Sequence, residues 1–246
     1  MATTPSPAVP APINHFGRVL GVFFSPRETF TDIASRPSWL LPIILLTVFG
    51  LGVAYIMNQK IDWYDYIRTQ AEKNPQFANL SEEQKQQQLA PQAKFSSYVT
   101  YFIGGLGPIL ATLILGGIYL GAFNVFSGGG LRFSQSMGIV AHGSLPGVVA
   151  SIVIILTLAL RGPGESTPEN MLVTHAGTFL SGDAPRWQLV LLGSFELFWL
   201  WEILLYAIGF SAANPKRITT GKALGIIVGI WAVYLVVKVG LTAVFS

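Results

Sequence analysis

The chain has 246 residues and a formal net charge of +3; 51% of its residues are hydrophobic and 11% are charged. This charged share is about half of that in a soluble domain, so most of the surface does not face water. The small net charge argues against nucleic acid as a partner. The absence of cysteine excludes disulfides, thiol nucleophiles and cysteine-ligated metals.

The first segment, 1–12, is predicted to be a disordered tail. It contains Ala, Pro, Thr and Ser but no basic residue and no apolar run, and it therefore lacks the features of a secretory signal. We expect membrane insertion to begin with the first spanning helix.

Two short amphipathic helices are predicted over 13–37, separated at Ser25-Pro26. In this segment Ser25 is expected to cap the second helix, with proline at the first helical position. Such helices suit the headgroup region, where basic side chains meet anionic lipid. The alternative is that they cap the end of the bundle. The predicted interfacial residues are Phe16, Arg18, Leu20, Phe23, Phe24, Arg27 and Phe30.

The remainder, 38–246, is predicted to be a membrane domain of five spanning helices. A helix needs roughly 20 apolar residues to cross the hydrocarbon core, and lipid offers no partners to a non-helical backbone. The predicted fold class is therefore an all-α polytopic membrane protein, a five-transmembrane-helix bundle preceded by short amphipathic helices. The five apolar stretches are 39–57, 97–126, 135–160, 188–210 and 222–245.

The long connection, 58–96, is predicted to be a polar helical loop. Ser81 and Gln84 have the spacing of a capping box and should start a helix that continues toward the second span. Asp62 and Asp65 beside aromatic residues allow a second interpretation, a pair of carboxylates flanking a substrate. We favour an aromatic belt at the membrane interface followed by a solvated helix.

Prolines and small residues predict local features of the spans. Pro108 and Pro146 should kink or loosen the second and third spans. Glycines four residues apart let helix backbones approach closely in lipid, and packing within the bundle is the favoured use. Dimerisation through the last span is the alternative. The glycines concerned are Gly117 with Gly121, Gly143 with Gly147, and Gly221, Gly225 and Gly229.

Four ionisable residues lie inside the predicted spans: His142, Glu196, Glu202 and Lys238. Such groups are costly in lipid, so they should face the bundle and find partners. At about 1.5 Å per residue, Glu196 and Lys238 lie about 12 and 10 Å from the outer boundary, which predicts that they pair. His142 and Glu202 form a second predicted pair nearer the inner boundary. Structural pairing is favoured, and a proton or ion pathway is the alternative.

Several segments resemble the bacterial branch of the Yip domain family. These are Ser25-Pro26-Arg27-Glu28-Thr29-Phe30, then Arg36-Pro37-Ser38-Trp39-Leu40-Leu41-Pro42 before the first span, and Phe133-Ser134-Gln135-Ser136 before the third. The resemblance covers roughly Phe16 to the end and implies a five-span integral membrane protein. The family is named for eukaryotic relatives that interact with Ypt/Rab GTPases. The Asp-Leu-Tyr-Gly-Pro element of those relatives is absent here, so GTPase binding is not carried over, and the family supplies no catalytic residues.

Two classes of function fit these features. One is a membrane-organising or adaptor protein that acts on the lipid bilayer and on protein partners, with Gly221, Gly225 and Gly229 as a possible route to a homo-oligomer. The other is a small transporter or channel that uses Glu196 with Lys238 and His142 with Glu202. Neither catalysis nor a cofactor is expected, because no nucleophile, acid/base cluster or metal-ligand set has suitable spacing.

The predicted location is a bacterial cytoplasmic membrane with the N-terminus in the cytoplasm. Lys and Arg counts on the two sides are equal, so the positive-inside rule alone does not decide the orientation. The family resemblance and the short basic turn with Lys216, Arg217 and Lys222 favour that turn on the cytoplasmic side.

Overall fold

A computed structural model of the chain describes residues 12–169, 171, 172, 174–180 and 184–245. The predicted tail thus lies outside the described residues except for Pro12. In the described part no strand forms, and the all-α class is confirmed. The helices are α1 His15–Phe24, α2 Pro26–Ser35, α3 Leu40–Lys60, α4 Trp63–Ala71, α5 Pro75–Ala78, α6 Glu82–Ser127, α7 Phe133–Gly143, α8 Pro146–Leu160, α9 Arg186–Gly193, α10 Leu197–Ala213 and α11 Thr220–Phe245, with a 3-10 turn at Ala176–Phe179.

Four segments of the described chain are long and apolar enough to cross a bilayer: α3, α6, α7 with α8, and α11. The prediction of a polytopic membrane protein is thereby confirmed. The count of five continuous spans is not, because the predicted fourth span, 188–210, is divided. It consists of α9, with 8 residues, and α10, with 17 residues, separated at Ser194 to Glu196.

The two prolines behave differently. The helix is interrupted before Pro146, which becomes the first residue of α8, so the third span is loosened there as predicted. α6 instead continues through Pro108 without interruption. The hydroxyl of Thr112 donates to the Pro108 carbonyl at 2.8 Å, within the turn that follows the proline.

The N-terminal helices α1 and α2 form with the predicted boundary at Ser25. The expected Ser25 side-chain cap is wrong: no hydrogen bond from its hydroxyl caps α2, and its backbone carbonyl accepts from Thr29 instead. α2 packs on α10 and α7, and its Phe30 and Ile33 are fully buried. In the same core, Phe123 of α6 stacks on Phe210 of α10 with ring centroids 4.3 Å apart.

The polar connection ends in the predicted capping box. Ser81 accepts from the Gln84 backbone at 3.3 Å, and the Gln84 side chain accepts from the Ser81 backbone at 3.1 Å. From this cap α6 runs for 46 residues, about 69 Å at 1.5 Å per residue. The polar helix and the second span are therefore one continuous helix, which extends well beyond a hydrocarbon core of about 30 Å.

Loop contacts place the connections at two ends of the bundle. At one end, Lys60 donates to the Arg161 carbonyl at 2.6 Å, and Tyr66 donates to Glu169 at 2.6 Å. Burial raises the pKa of Tyr66 to about 12, and the hydrogen bond to Glu169 adds to the shift. At the other end, Asn214 donates to the Gly129 carbonyl at 2.7 Å. The two long loops therefore share one side, and the two short turns share the other.

Close glycine packing occurs at only some of the predicted positions. A Cβ on Gly143 would lie 2.5 Å from the Tyr206 ring, which confirms close packing there. A close backbone approach between Gly50 of α3 and Gly104 of α6 was not predicted. The expected packing within the bundle is wrong for Gly117, Gly121, Gly221, Gly225 and Gly229, where an added Cβ would meet nothing within 4 Å. α11 buries Ala223 and Ile227 instead, which lie on another face of the helix.

Candidate functional site

The break between α9 and α10 is, with the interruption before Pro146, an irregular part of the described chain at membrane depth. Glu196 has extended backbone angles, φ −101° and ψ 138°, and its side chain caps α10 by accepting from the Trp199 backbone at 3.0 Å. The loop around His175 supplies the partners that the broken helix lacks. Ala176 donates to the Phe195 carbonyl at 3.2 Å, and Leu197 donates to the Thr174 carbonyl at 3.3 Å. Since lipid cannot satisfy these groups, the loop makes the break tolerable.

Neighbouring contacts fix the depth of the break. An added Cβ on Gly147 of α8 would lie 3.4 Å from the Glu202 carboxylate, which places the two residues at one level. Gly147 is 13 residues from the end of α8, or about 20 Å, and Glu196 precedes Glu202 by six residues, or about 9 Å. Glu196 therefore lies about 10 Å below the end of α8.

A cavity of about 130 Å³ adjoins the break. It lies between the α9–α10 junction and α11. Its lining residues include one carboxylate, one ammonium and one serine hydroxyl, together with three aromatic residues and Gly193. The residues concerned are Ser194, Glu196, Trp199, Trp231, Tyr234 and Lys238.

Glu196 and Lys238 share this cavity, but they do not form the predicted direct ion pair. Lys238 Nζ donates to Ser194 Oγ at 3.1 Å and lies 5.8 Å from the Tyr234 ring centroid. Glu196 accepts from Thr174 Oγ1 at 2.6 Å as well as from the Trp199 backbone. Lys238 thus reaches from α11 to the α9–α10 junction, where its partner is Ser194 rather than Glu196.

The second predicted pair, His142 with Glu202, is not formed either. His142 is 1% exposed, and its Nδ1 contacts the Gly138 carbonyl, one turn earlier in α7, at 2.9 Å. Glu202 accepts from the Tyr206 hydroxyl at 3.2 Å, and that hydroxyl is 2.6 Å from Ser144 Oγ. The polar group that joins α10 to the α7–α8 turn is therefore Glu202, Tyr206 and Ser144.

The N-terminal helices expose only part of the predicted interfacial set. Phe16, Leu20 and Phe24 are 72%, 61% and 84% exposed and form one apolar face of α1, which we call the α1 face. Arg27 is also exposed. Phe23 packs edge-on against Trp201 of α10, with ring centroids 5.4 Å apart.

Arg18 and Phe30 do not face lipid as expected. Arg18 is 4% exposed and forms an ion pair with Asp32 at 2.7 Å, and it also donates to Ser38 Oγ at 2.6 Å. Arg36 binds the other carboxylate oxygen of Asp32. Burial acts to raise the pKa of Asp32, but the hydrogen bonds and charges of Arg18 and Arg36 outweigh it and hold the pKa below its usual value.

Thr174, Ser194 and the three aromatic residues of the cavity escaped the sequence analysis. The only signal available was the Gly193-Ser194 pair inside an apolar stretch, since glycine and serine mark weak points in a helix. Among the described residues, no group of three or more metal-ligating side chains lies close enough to hold a metal.

Comparison with known families gives one result: the model of the Yip1 domain matches residues 20–241. No curated protein and no solved structure matches the chain.

Proposed function

The chain belongs to the Yip1 domain family, and on that premise we propose that it is a non-catalytic, membrane-organising adaptor that acts on the bilayer through the α1 face. The observation that carries this proposal is the exposure of Phe16, Leu20 and Phe24 on a helix that packs against the bundle. An apolar helix face inserted at the headgroup level displaces lipid on one side of the membrane only.

The attachment supports this role. The Arg18–Asp32 ion pair and the Phe23–Trp201 contact join α1 to α2 and α10. Because α1 is joined to spanning helices, insertion of the α1 face into the bilayer also displaces the bundle. A free amphipathic helix would reorient instead. Exposed basic residues at the same end suit anionic lipid: Arg27, Arg132, Lys216, Arg217 and Lys222. We place this end, and with it the N-terminus, on the cytoplasmic side of a bacterial inner membrane.

The test is reconstitution of the full chain into anionic vesicles, with vesicle deformation and solute flux measured on the same preparation. Serine at Phe16, Leu20 and Phe24 should abolish deformation and leave the bundle folded. A matched variant, F16L/L20I/F24L, keeps the apolar character and should deform vesicles as the wild type does. Equal deformation by the serine variant would contradict the proposal.

A second candidate function is transport. The observation in its favour is the divided α9–α10 segment with Glu196 and Lys238 facing one cavity, because interrupted helices form the substrate sites of many transporters. Solute flux without vesicle deformation in the same experiment would favour this candidate over the adaptor.

A further inference from the structure

We propose that the cavity beside the α9–α10 break binds a zwitterionic group, an ammonium and an anion joined by a short linker. This chemistry occurs in the phosphoethanolamine headgroup of a lipid and in free amino compounds of the same type. The proposal does not depend on the α1 face, and binding does not require transport.

Lys238 provides the site for the anion. An ammonium has three donors, and one of them is used on Ser194 Oγ. Among the described residues no carboxylate lies within 4 Å of Lys238 Nζ; the salt bridges of that part of the chain all involve other residues. A phosphate or carboxylate oxygen can accept the remaining donors.

Glu196 and the aromatic walls provide the site for the cation. An ionised carboxylate has about four acceptor positions, and Thr174 and Trp199 occupy two of them. Trp199, Trp231 and Tyr234 also line the cavity. The ring faces of Trp199 and Trp231 can attract an ammonium electrostatically, whereas the Tyr234 ring already lies beside Lys238 Nζ.

The two opposite charges of the cavity disfavour a ligand that carries only a positive or only a negative charge. Glu196 and Lys238 contribute −1 and +1, and both lie at membrane depth, where an uncompensated charge is costly. A simple anion would satisfy Lys238 but leave Glu196 facing a second negative charge. A zwitterion compensates both groups, and the hydrogen bonds of Glu196 to Thr174 and of Lys238 to Ser194 leave acceptor and donor positions for it.

The size and surroundings of the cavity are consistent with such a group. Its volume of about 130 Å³ exceeds the roughly 30 Å³ that one water molecule occupies in the liquid. The neighbours of the two charged residues, Leu197 and Val237, are 57% and 55% exposed, as is Leu241 one turn further along α11. These exposed apolar side chains give the acyl chains of a lipid a surface beside the cavity when its headgroup enters.

The experiment measures lipid retention by the full chain with native mass spectrometry. The protein is offered equal amounts of phosphatidylethanolamine and phosphatidylglycerol with identical acyl chains. We expect phosphatidylethanolamine to be retained preferentially. Lys238→Met and Glu196→Gln should each weaken its binding about tenfold to a hundredfold, the usual effect of losing a hydrogen bond to a charged group. Lys73→Met, at an exposed lysine of the long loop away from the cavity, is the control and should bind as the wild type does.

Glycerophosphoethanolamine, which lacks acyl chains, distinguishes the two sources of the ligand. If glycerophosphoethanolamine displaces phosphatidylethanolamine only weakly, the ligand is a lipid headgroup. If it displaces the lipid completely, the ligand is a soluble zwitterion. Both results support the proposed chemistry. Equal retention of the two lipids by the wild type overturns the proposal, and so does unchanged binding by Lys238→Met or Glu196→Gln. If a variant fails to fold, the selectivity of the wild-type chain decides alone.

Discussion

Arg18 joins α1 to α2 through a carboxylate that it shares with Arg36. Replacing it by methionine keeps most of its length but removes the donors to Asp32 and Ser38. Buried polar groups that lose a partner typically cost about 1–3 kcal/mol each. We therefore expect Arg18→Met to lower the free energy of unfolding by about this amount, less than a complete loss of partners would because Asp32 keeps Arg36. The measurement is reversible unfolding of the reconstituted chain.

Arg27 provides the matched control for that change. It belongs to the same pair of helices but is exposed, so Arg27→Met should alter stability by no more than about 0.5 kcal/mol. Equal losses in both variants would show that the Arg18–Asp32 ion pair does not stabilise the N-terminal helices.

The ionisation of Asp32 should make the free energy of unfolding fall at acid pH. Its pKa in the folded protein is lowered, whereas an unfolded chain has an aspartate pKa of about 3.9. A lowered pKa favours the ionised form in the folded state, so this stabilisation is fully present above about pH 4 and is lost as the pH falls through the lowered value. Unfolding measured from pH 7 downward should show the loss, and Asp32→Asn should flatten the curve. Glu28→Gln is the control and should keep the wild-type pH dependence.

At the scale of elements, the contact between α3 and α6 depends on two glycines. A Cβ on Gly104 would lie 2.5 Å from the Gly50 carbonyl oxygen, which is backbone and cannot move aside cheaply. Gly104→Ala should therefore destabilise the protein by about 1–3 kcal/mol, the range for overpacking. In Gly117→Ala, on the same helix, the added methyl meets nothing within 4 Å and stability should hold. Thermal unfolding of the two variants in one lipid checks this difference; equal behaviour would mean that the helices do not meet at Gly104.

Elements that rest on local sequence could be predicted. The Ser81–Gln84 capping box spans four residues, and the α1–α2 boundary is marked by a proline, so both are visible in a short window of sequence. The α9–α10 break is different. Its freed backbone groups are satisfied by Thr174 and Ala176, some twenty residues away, and an average of hydropathy over 188–210 contains no information about them.

The same limit explains the errors at individual site residues. Arg18 has apolar neighbours at helical spacing, which indicates a lipid-facing helix, but its partners Asp32 and Ser38 lie 14 and 20 positions later. Glu196 and Lys238 were correctly placed near each other in depth by counting along antiparallel helices, since both line one cavity. Counting could not show that Glu196 and Lys238 take Thr174 and Ser194 as hydrogen-bond partners instead of each other.

At the scale of the whole molecule, the two ends of the bundle should be accessible to a thiol reagent from opposite sides of the membrane. The native chain has no cysteine, so a single introduced cysteine is the only thiol. Lys216→Cys lies in a short turn at one end, and Glu72→Cys lies in the long loop at the other; both positions are exposed. In intact cells we expect a membrane-impermeant thiol reagent to modify the cysteine at 72 and not the one at 216. Modification of both from the outside would contradict the arrangement.

The division of the predicted fourth span has a consequence for biosynthesis. With 17 residues, α10 is shorter than the roughly 20 that a stable crossing needs, and it carries Glu202 in its interior. During translation such a segment partitions poorly into lipid by itself. α11 follows after a turn of six residues, is 26 residues long and is strongly apolar. We therefore expect the two helices to enter the bilayer as a hairpin, with α10 reaching its final position only after α11 has been synthesised.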